Sequence, residues 1–212
     1  CSACADLKIN NFDIGKTFQA LKSTKDAVLD LSEEEEIALG QGVAANLLGL
    51  APLLADQEIQ RYVNGVGRWI SMQSERPDLP WSFAVIDDPS CNAFATPGGY
   101  VVLTKGLLQK LRNEAELAGI LGHEIAHVVR QHHLKAFKSA SGMAAMHDFT
   151  SAALTAKGGN QRYLKFVSAA TELYARALDK EDEFESDRMG VVLAARAGYD
   201  PYGLPAFLQT LQ

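Results

Sequence analysis

The segment His123-Glu124-Ile125-Ala126-His127 lies inside a long apolar helical pattern that begins near Asn113. On an α-helix, residues at positions i and i+4 lie one above the other on the same face. His123 and His127 can therefore direct two imidazole nitrogens at one cation, with Glu124 close enough to contact a water on that cation. These residue types at this spacing form the H-E-x-x-H pattern, which predicts a metal-dependent hydrolytic site.

The residues around this segment are apolar, which makes its polar side chains hard to explain as ordinary core residues. The alternative is two buried histidines and a surface glutamate with no metal. Burying such polar groups without partners costs several kcal/mol, and a bound metal removes that cost. We therefore expect a zinc site on this helix. The apolar residues are Leu117, Ile120, Leu121, Ile125, Val128 and Val129.

A catalytic zinc ion takes three protein ligands and leaves one position for water, so a third ligand must come from elsewhere. His133 follows His127 by the spacing of the longer pattern H-E-x-x-H-x-x-G-x-x-H, in which the chain leaves the helix at the glycine. Here that position is Arg130, and the residues up to His132 carry no turn signal. A continuous helix would place His133 about 9 Å along the axis from His127, at about 1.5 Å per residue. We therefore expect the helix to run to about His133 and the third ligand to be another residue.

The other source of a ligand is the acidic segment 182–187, which starts a helix whose later part is apolar. Glu183 and Asp187 share one face of that helix at positions i and i+4. Glu183 could bind the metal while Asp187 contacts the other ring nitrogen of a histidine and fixes its tautomer. Two alternatives stay open on the residues alone. One is Glu185 in place of Glu183, and the other is a solvated acidic helix start that the helix dipole favours.

The rest of the sequence predicts a helix-dominated α+β domain, with a small antiparallel sheet just ahead of the metal helix. We expect an N-terminal arm at residues 1–30 and one domain at residues 31–212. Ser32 and Glu35 form a capping-box pattern that starts a helix. The predicted helices cover residues 33–48, 53–73, 113–133, 134–156, 162–178, 179–198 and 200 onward; the predicted strands cover 81–86, 92–96 and 100–104, the last two joined by a turn at 97–99.

Composition limits the classes of partner. The 212 residues carry a formal charge of −6 and no basic stripe, which argues against a nucleic-acid partner. The longest apolar run, residues 43–55, is too short to cross a bilayer. The chain starts at Cys1, which predicts either an excision point or the mature end of a bacterial lipoprotein. In the second case the membrane is contacted only through a lipid on Cys1.

Three motifs together resemble the HtpX/CAAX-prenyl-protease family of zinc metallopeptidases over roughly residues 35–210. They are the His-Glu-Ile-Ala-His segment followed by His132, the pair Glu183 and Asp187, and the strand Asn92-Ala93-Phe94-Ala95 leading into Pro97-Gly98-Gly99. The resemblance implies a zincin-like (gluzincin) fold, Glu183 as the third zinc ligand and Asp187 as its functional companion in catalysis. It also implies that substrate pairs with the edge strand formed by Asn92, Ala93, Phe94 and Ala95. Membrane-embedded members carry transmembrane helices, and this sequence is more similar to the soluble periplasmic branch.

These features predict a zinc-dependent metalloendopeptidase that holds one Zn²⁺ per chain. Glu124 is expected to act as general base toward water, and an extended peptide adding to the edge strand suits unfolded or misfolded protein substrates. We expect a monomer on the periplasmic side of the bacterial cell envelope. The alternative is a catalytically weak, zinc-bound holdase on the same scaffold. The segment 134–160, rich in small residues, is expected to gate the cleft.

Overall fold

The computed structural model describes residues 31–49, 51–141 and 178–211. The predicted N-terminal arm, Cys1, the helix predicted from residue 162 and most of the predicted gating segment lie outside the described residues. Among the described residues, no helix is both long enough and apolar enough to cross a lipid bilayer.

The described residues form a helix-dominated α+β fold with one small sheet, as the sequence predicts. The helices are α1 (Glu33–Leu48), α2 (Gln57–Ser71), α3 (Lys105–Leu108), α4 (Glu114–Val129), α5 (His132–Ser141), α6 (Lys180–Arg196) and α7 (Gly203–Gln209); the strands are β1 (Ser82–Ile86), β2 (Ala93–Thr96) and β3 (Tyr100–Thr104), with a 3₁₀ turn at Pro97–Gly99 between β2 and β3.

The sheet is mixed, so the prediction of an antiparallel sheet is wrong for one of its two strand pairs. The strand order is β1-β3-β2; β2 pairs antiparallel with β3, whereas β1 pairs parallel with it. The tight turn at Pro97–Gly99 makes β2 and β3 a hairpin. The chain leaving β1 passes across to the far edge before this hairpin begins, so β1 meets the second strand of the hairpin and not the first.

Helix α4 lies in the centre of the domain and contacts α2, α6, α7 and β2. Asn113 caps its start by accepting a hydrogen bond from the backbone N–H of Glu116 at 2.9 Å. Most of the helix is buried, and burying each large aliphatic side chain contributes roughly 1.5–3 kcal/mol. The metal-motif helix is therefore the core helix of the domain, which holds its backbone rigidly. Fully buried aliphatic residues in this core include Ile70, Val85, Leu103, Leu121, Ile125 and Leu193.

Helix α4 ends at Val129, so the prediction of a continuous helix to His133 is wrong. Gln131 has a φ of 56°, in the left-handed region, and this residue separates α4 from α5. Its side-chain amide donates a hydrogen bond of 2.9 Å to Glu36, a buried carboxylate of α1. A tertiary contact therefore holds a backbone conformation that a non-glycine residue adopts rarely, and no local turn signal marks it.

Glu36 also holds the turn that ends β2. Its carboxylate accepts hydrogen bonds from Arg76 at 2.9 and 3.0 Å and from the backbone N–H of Gly98 at 3.1 Å. Gly98 has a φ of 74°, which glycine adopts without strain. Helix α1 approaches this turn so closely that a Cβ on Gly40 would overlap the carbonyl of Pro97. One buried acidic side chain thus joins α1, the hairpin turn and the end of α4.

The outer edge of β1 is covered by side chains and by the segment before α2. Gln60 donates to the carbonyl of Val85 at 2.7 Å and accepts from the N–H of the same residue at 2.9 Å, as a neighbouring strand would. Asn64 accepts from the N–H of Phe83, and Leu53 forms an isolated antiparallel bridge with Ile86. This use of residues 52–54 explains why α2 begins at Gln57, behind its cap Asp56, and not near residue 53 as predicted.

Candidate active site

Helices α4 and α6 pack against each other through two glycines, Gly122 and Gly190. This contact brings three possible metal-binding side chains together, since the ligand atoms of His123, His127 and Glu183 all lie within 4.8 Å of one another. The two histidine Nε2 atoms are 2.9 Å apart. Each lies 3.8 Å from an oxygen of the Glu183 carboxylate.

This donor set fits a divalent cation such as zinc. Zinc–nitrogen and zinc–oxygen bonds of about 2.0–2.2 Å place the ligands of a tetrahedral ion about 3.3–3.6 Å apart, which is within the range of the three separations here. The Nδ1 atoms of His123 and His127 both face other side chains. With a hydrogen on each Nδ1, the two Nε2 lone pairs point toward a common centre, an arrangement that a cation between them stabilises.

Asp187 lies next to His123 on the side away from Glu183. Its Oδ1 atom is 2.9 Å from Nδ1 of His123. Burial of the ring lowers the pKa of His123, but the hydrogen bond to Asp187 and the charges of nearby carboxylates outweigh burial and raise the pKa above its usual value. The predicted contact between Asp187 and the outer nitrogen of a histidine is therefore present.

His127 is almost fully buried and has a different environment. Burial, followed by the neighbouring ring of His123 and the rings of two further histidines, holds the pKa of His127 far below its usual value. The imidazole is therefore neutral across the physiological pH range, which is the form that binds metals. His127 is only 3% exposed, whereas the side chains of His123 and Glu183 are 13% and 26% exposed, so the cluster is open to solvent mainly at those two residues.

Glu124 is half-buried and follows His123 in α4. Burial raises the pKa of the Glu124 carboxyl group above its usual value. The charge of His123 acts to lower this pKa, and the negative charge of Glu183 acts to raise it. A carboxylate with a raised pKa is a stronger base than an ordinary glutamate.

The structure separates the two acidic residues that the sequence leaves as alternatives. Glu183 faces His123 and His127, whereas Glu185 lies 3.2 Å from Nε2 of His132 and 3.0 Å from Nε of Arg130. Hydrogen bonding to His132 lowers the pKa of Glu185, although burial opposes this, and the charge of Arg130 adds to the lowering.

The turn at Gln131 brings His133 near His127, with ring centroids 5.5 Å apart. Burial, together with the neighbouring rings of His132 and His123, lowers the pKa of His133 to about 3. Among the described residues, His133 does not belong to the cluster formed by the two motif histidines and Glu183. Although α4 ends before His133, the ligand atoms of the two motif histidines converge with Glu183 and not with His133.

The sequence predicts that His132 serves in packing or in contacts behind the metal ligands, but it does not identify the partner residues. This residue is fully buried, and its ring contacts His127, Ser186 and Glu185. The only local signal is a histidine placed shortly after the H-E-x-x-H motif. Ser186 and Glu185 lie more than fifty positions away from His132, so spacing alone could not pair them with it.

The predicted substrate strand Asn92, Ala93, Phe94 and Ala95 corresponds closely to β2, which begins one residue later. Asn92 lies just before the strand, and its side-chain oxygen accepts from the N–H of Ala93 at 3.0 Å. In the part of the chain that the structure describes, no strand pairs with the outer side of β2. Helix α4 contacts β2, so this strand lies next to the metal-motif helix.

Comparison with known proteins places this geometry in a family. The model of peptidase family M48 matches residues 54–211. The chain is 29% identical over 212 residues to a β-barrel assembly-enhancing protease of Escherichia coli (strain K12), which covers 93% of this chain and 43% of the relative. It is 30% identical over 186 residues to the protein of the same name from Yersinia pestis, covering 85% of this chain and 38% of the relative.

A eukaryotic relative matches as well. The chain is 28% identical over 164 residues to the mitochondrial metalloendopeptidase OMA1 of Arabidopsis thaliana, covering 75% of this chain and 31% of the relative. The chain thus spans less than half the length of these relatives. The family match covers the sheet, the H-E-x-x-H helix and the acidic helix together. The chain therefore belongs to peptidase family M48, a family of metallopeptidases.

Proposed function

We propose that this chain is the catalytic domain of a zinc metalloendopeptidase, with one zinc ion held by His123, His127 and Glu183. The observation that carries the proposal is the convergence of these three side chains within 4.8 Å, directly beside Glu124. Family membership supports a metallopeptidase site at this place in the fold. The narrower resemblance to the HtpX/CAAX-prenyl-protease group stays a prediction.

In this proposal each polar side chain has a separate task. A zinc ion, when bound, lowers the pKa of a coordinated water to about 7 and polarises a carbonyl group. Glu124 takes a proton from water and returns it to the leaving amine. Asp187 accepts from Nδ1 of His123, which keeps the Nε2 lone pair of that ring directed at the metal position.

We further propose that substrate binds as an added strand on β2. The β1 edge is occupied by Gln60 and by residues 52–54, so among the described residues the outer side of β2 is the sheet edge without a paired strand. Helix α4 contacts this strand. Backbone hydrogen bonds on a sheet edge give affinity with loose sequence preference, which suits unfolded or extended protein chains.

Location and oligomeric state complete the proposal. We propose that the protein works as a monomer in the bacterial cell envelope, with any membrane contact made through a lipid on Cys1. The names of the bacterial relatives, which refer to β-barrel assembly, support an envelope role. Sequencing the region upstream of Cys1 tests the lipid: a polar linker or domain there contradicts it.

The variant Glu124→Gln tests the enzymatic part. It should lose at least about 10²-fold in casein cleavage, because the proton acceptor is gone, while zinc content stays at one per chain. Glu114→Gln is the matched control, since it makes the same change at an exposed position of the same helix, and it should keep full activity. Equal residual activity in wild type and Glu124→Gln would contradict the peptidase and favour the holdase.

A second comparison tests the ligand set. Glu183→Gln should reduce zinc content sharply. Glu185→Gln should retain most of the zinc, because Glu185 does not face the two motif histidines and a glutamine there keeps an oxygen that can accept from His132. Zinc is measured by metal analysis after dialysis. Retention in Glu183→Gln together with loss in Glu185→Gln would reverse the assignment.

A further inference from the structure

His132 lies in the core between the end of α4 and helix α6, with an exposed fraction of 0%. Its Nδ1 atom is 3.1 Å from Nδ1 of His127 and 3.2 Å from the hydroxyl of Ser186. Its Nε2 atom is 3.2 Å from Glu185 and 3.5 Å from Asp182. Both ring nitrogens therefore face polar groups, and one of those groups is a motif histidine.

One arrangement of hydrogens satisfies this chain of contacts. A metal on Nε2 of His127 requires the hydrogen of that ring to be on Nδ1, where it points at Nδ1 of His132. The Nδ1 atom of His132 then accepts this hydrogen bond from His127, so the hydrogen of the His132 ring must be on Nε2. That hydrogen points toward the carboxylates of Glu185 and Asp182, which accept it.

The Nδ1 atoms of the two motif histidines thus contact different kinds of residue. His123 contacts the carboxylate of Asp187 directly. His127 lies deeper, and a carboxylate in the position of His132 would be buried completely. An imidazole in that position carries the hydrogen bond outward to Glu185, which is partly exposed and which Arg130 holds at 3.0 Å. The ring of His132 therefore supplies a hydrogen-bond acceptor where a fully buried carboxylate would be costly.

We propose that His132 is a positioning residue for the metal site: it fixes the ring orientation and the tautomer of His127 through a relay that ends at Glu185 and Asp182. The inference rests on the proposed role of His127 as a ligand. Groups in this outer position typically change metal affinity by about 10–100-fold when removed.

The same residues could be interpreted as a second metal site, since His132, Asp182 and Glu185 have ligand atoms within 4.8 Å of one another. Two contacts argue for the relay instead. Arg130 already neutralises the Glu185 carboxylate at 3.0 Å, and the other nitrogen of His132 faces His127. A cation beside this arginine would be repelled by its charge.

Two substitutions of His132 separate positioning from packing. In His132→Asn, the side-chain oxygen lies near the former position of Nδ1 and can still accept from His127. In His132→Leu, a side chain of suitable size remains but no acceptor does. We expect the zinc Kd, measured by competition with a chelator, to rise about 10–100-fold in His132→Leu and only a few-fold in His132→Asn. Equal losses in the two variants, or no loss in His132→Leu, would overturn the proposal.

Measurements on the wild-type protein keep the test independent of folding defects. A long-range proton–nitrogen NMR spectrum of the zinc-loaded protein should show neutral His132 with its hydrogen on Nε2. A hydrogen on Nδ1, or two zinc ions per chain, would overturn the relay. The Glu183→Gln comparison reports separately on the ligand set. If Glu183→Gln loses zinc while the His132 variants do not, the relay alone is wrong.

Discussion

The substitution Gly190→Ala tests whether the spacing of α4 and α6 sets the metal geometry. A Cβ on Gly190 would lie 2.7 Å from the backbone nitrogen and 2.9 Å from the Cα of His123. Ordinary van der Waals contact begins at 3.4 Å, so the 2.7 Å approach is about 0.7 Å too close. The opposing atoms belong to the backbone and cannot rotate away. The two helices must therefore separate.

The expected magnitude combines two opposing effects. Alanine in a helix interior is favoured over glycine by roughly 0.5–1 kcal/mol. Overpacking a close contact costs about 1–3 kcal/mol, so we expect a net loss of about 0.5–2 kcal/mol in the free energy of unfolding. Glu183 lies two turns before Gly190 in the same helix, and a functional site tolerates displacements of only about 0.5 Å. Zinc affinity should therefore fall about tenfold or more.

Gly65→Ala is the matched control. Gly65 lies inside α2, and a Cβ there would meet no atom within 4 Å. Denaturant unfolding of the metal-free proteins should show a gain of about 0.5–1 kcal/mol for Gly65→Ala and a loss for Gly190→Ala. Chelator competition should show an unchanged zinc Kd only for Gly65→Ala. If Gly190→Ala matched the control in both measurements, the reasoning on helix spacing would be refuted.

Two further predictions concern buried carboxylates far from the metal cluster. Arg76→Met should lower the free energy of unfolding by about 3 kcal/mol or more, because Glu36, which is only 1% exposed, loses its charged partner. Adding Glu36→Gln should restore part of this loss. A loss below about 1 kcal/mol in Arg76→Met would contradict the prediction. Burial opposes the charged form of Glu116, but hydrogen bonds from Arg112 and its positive charge lower the pKa of this carboxyl group below 4.5. The ionised Glu116 therefore stabilises the folded state above pH 4.5, and this contribution is lost as the pH falls through the lower pKa of the folded state. The unfolding free energy of Glu116→Gln should therefore depend less steeply on pH below about 4.5 than that of the wild type, and parallel pH profiles would count against this role.

Local patterns in the sequence predicted most of the secondary structure of the residues that the structure describes. Ser32 and Glu35 form the reciprocal capping box, Asn113 caps the metal-motif helix, and the turn at Pro97–Gly99 joins two antiparallel strands. The i and i+4 spacing also placed His123 and His127 on one face. Each of these features depends on residues within a few positions of one another, where the geometry of a helix or turn determines the contact.

Tertiary packing decided the features that join distant parts of the chain. Whether Glu183 or Glu185 faces the histidines depends on how α6 is rotated against α4, and the close contact of Gly122 with Gly190 determines that rotation. The left-handed conformation of Gln131 depends on a carboxylate of α1, Glu36, which is far away in sequence.

The parallel pairing of β1 with β3 and the contacts of His132 have the same origin. Periodicity in a sequence identifies which face of an element is apolar, but it does not say which other element covers that face. That choice is made by the fit of whole surfaces separated by tens of residues along the chain.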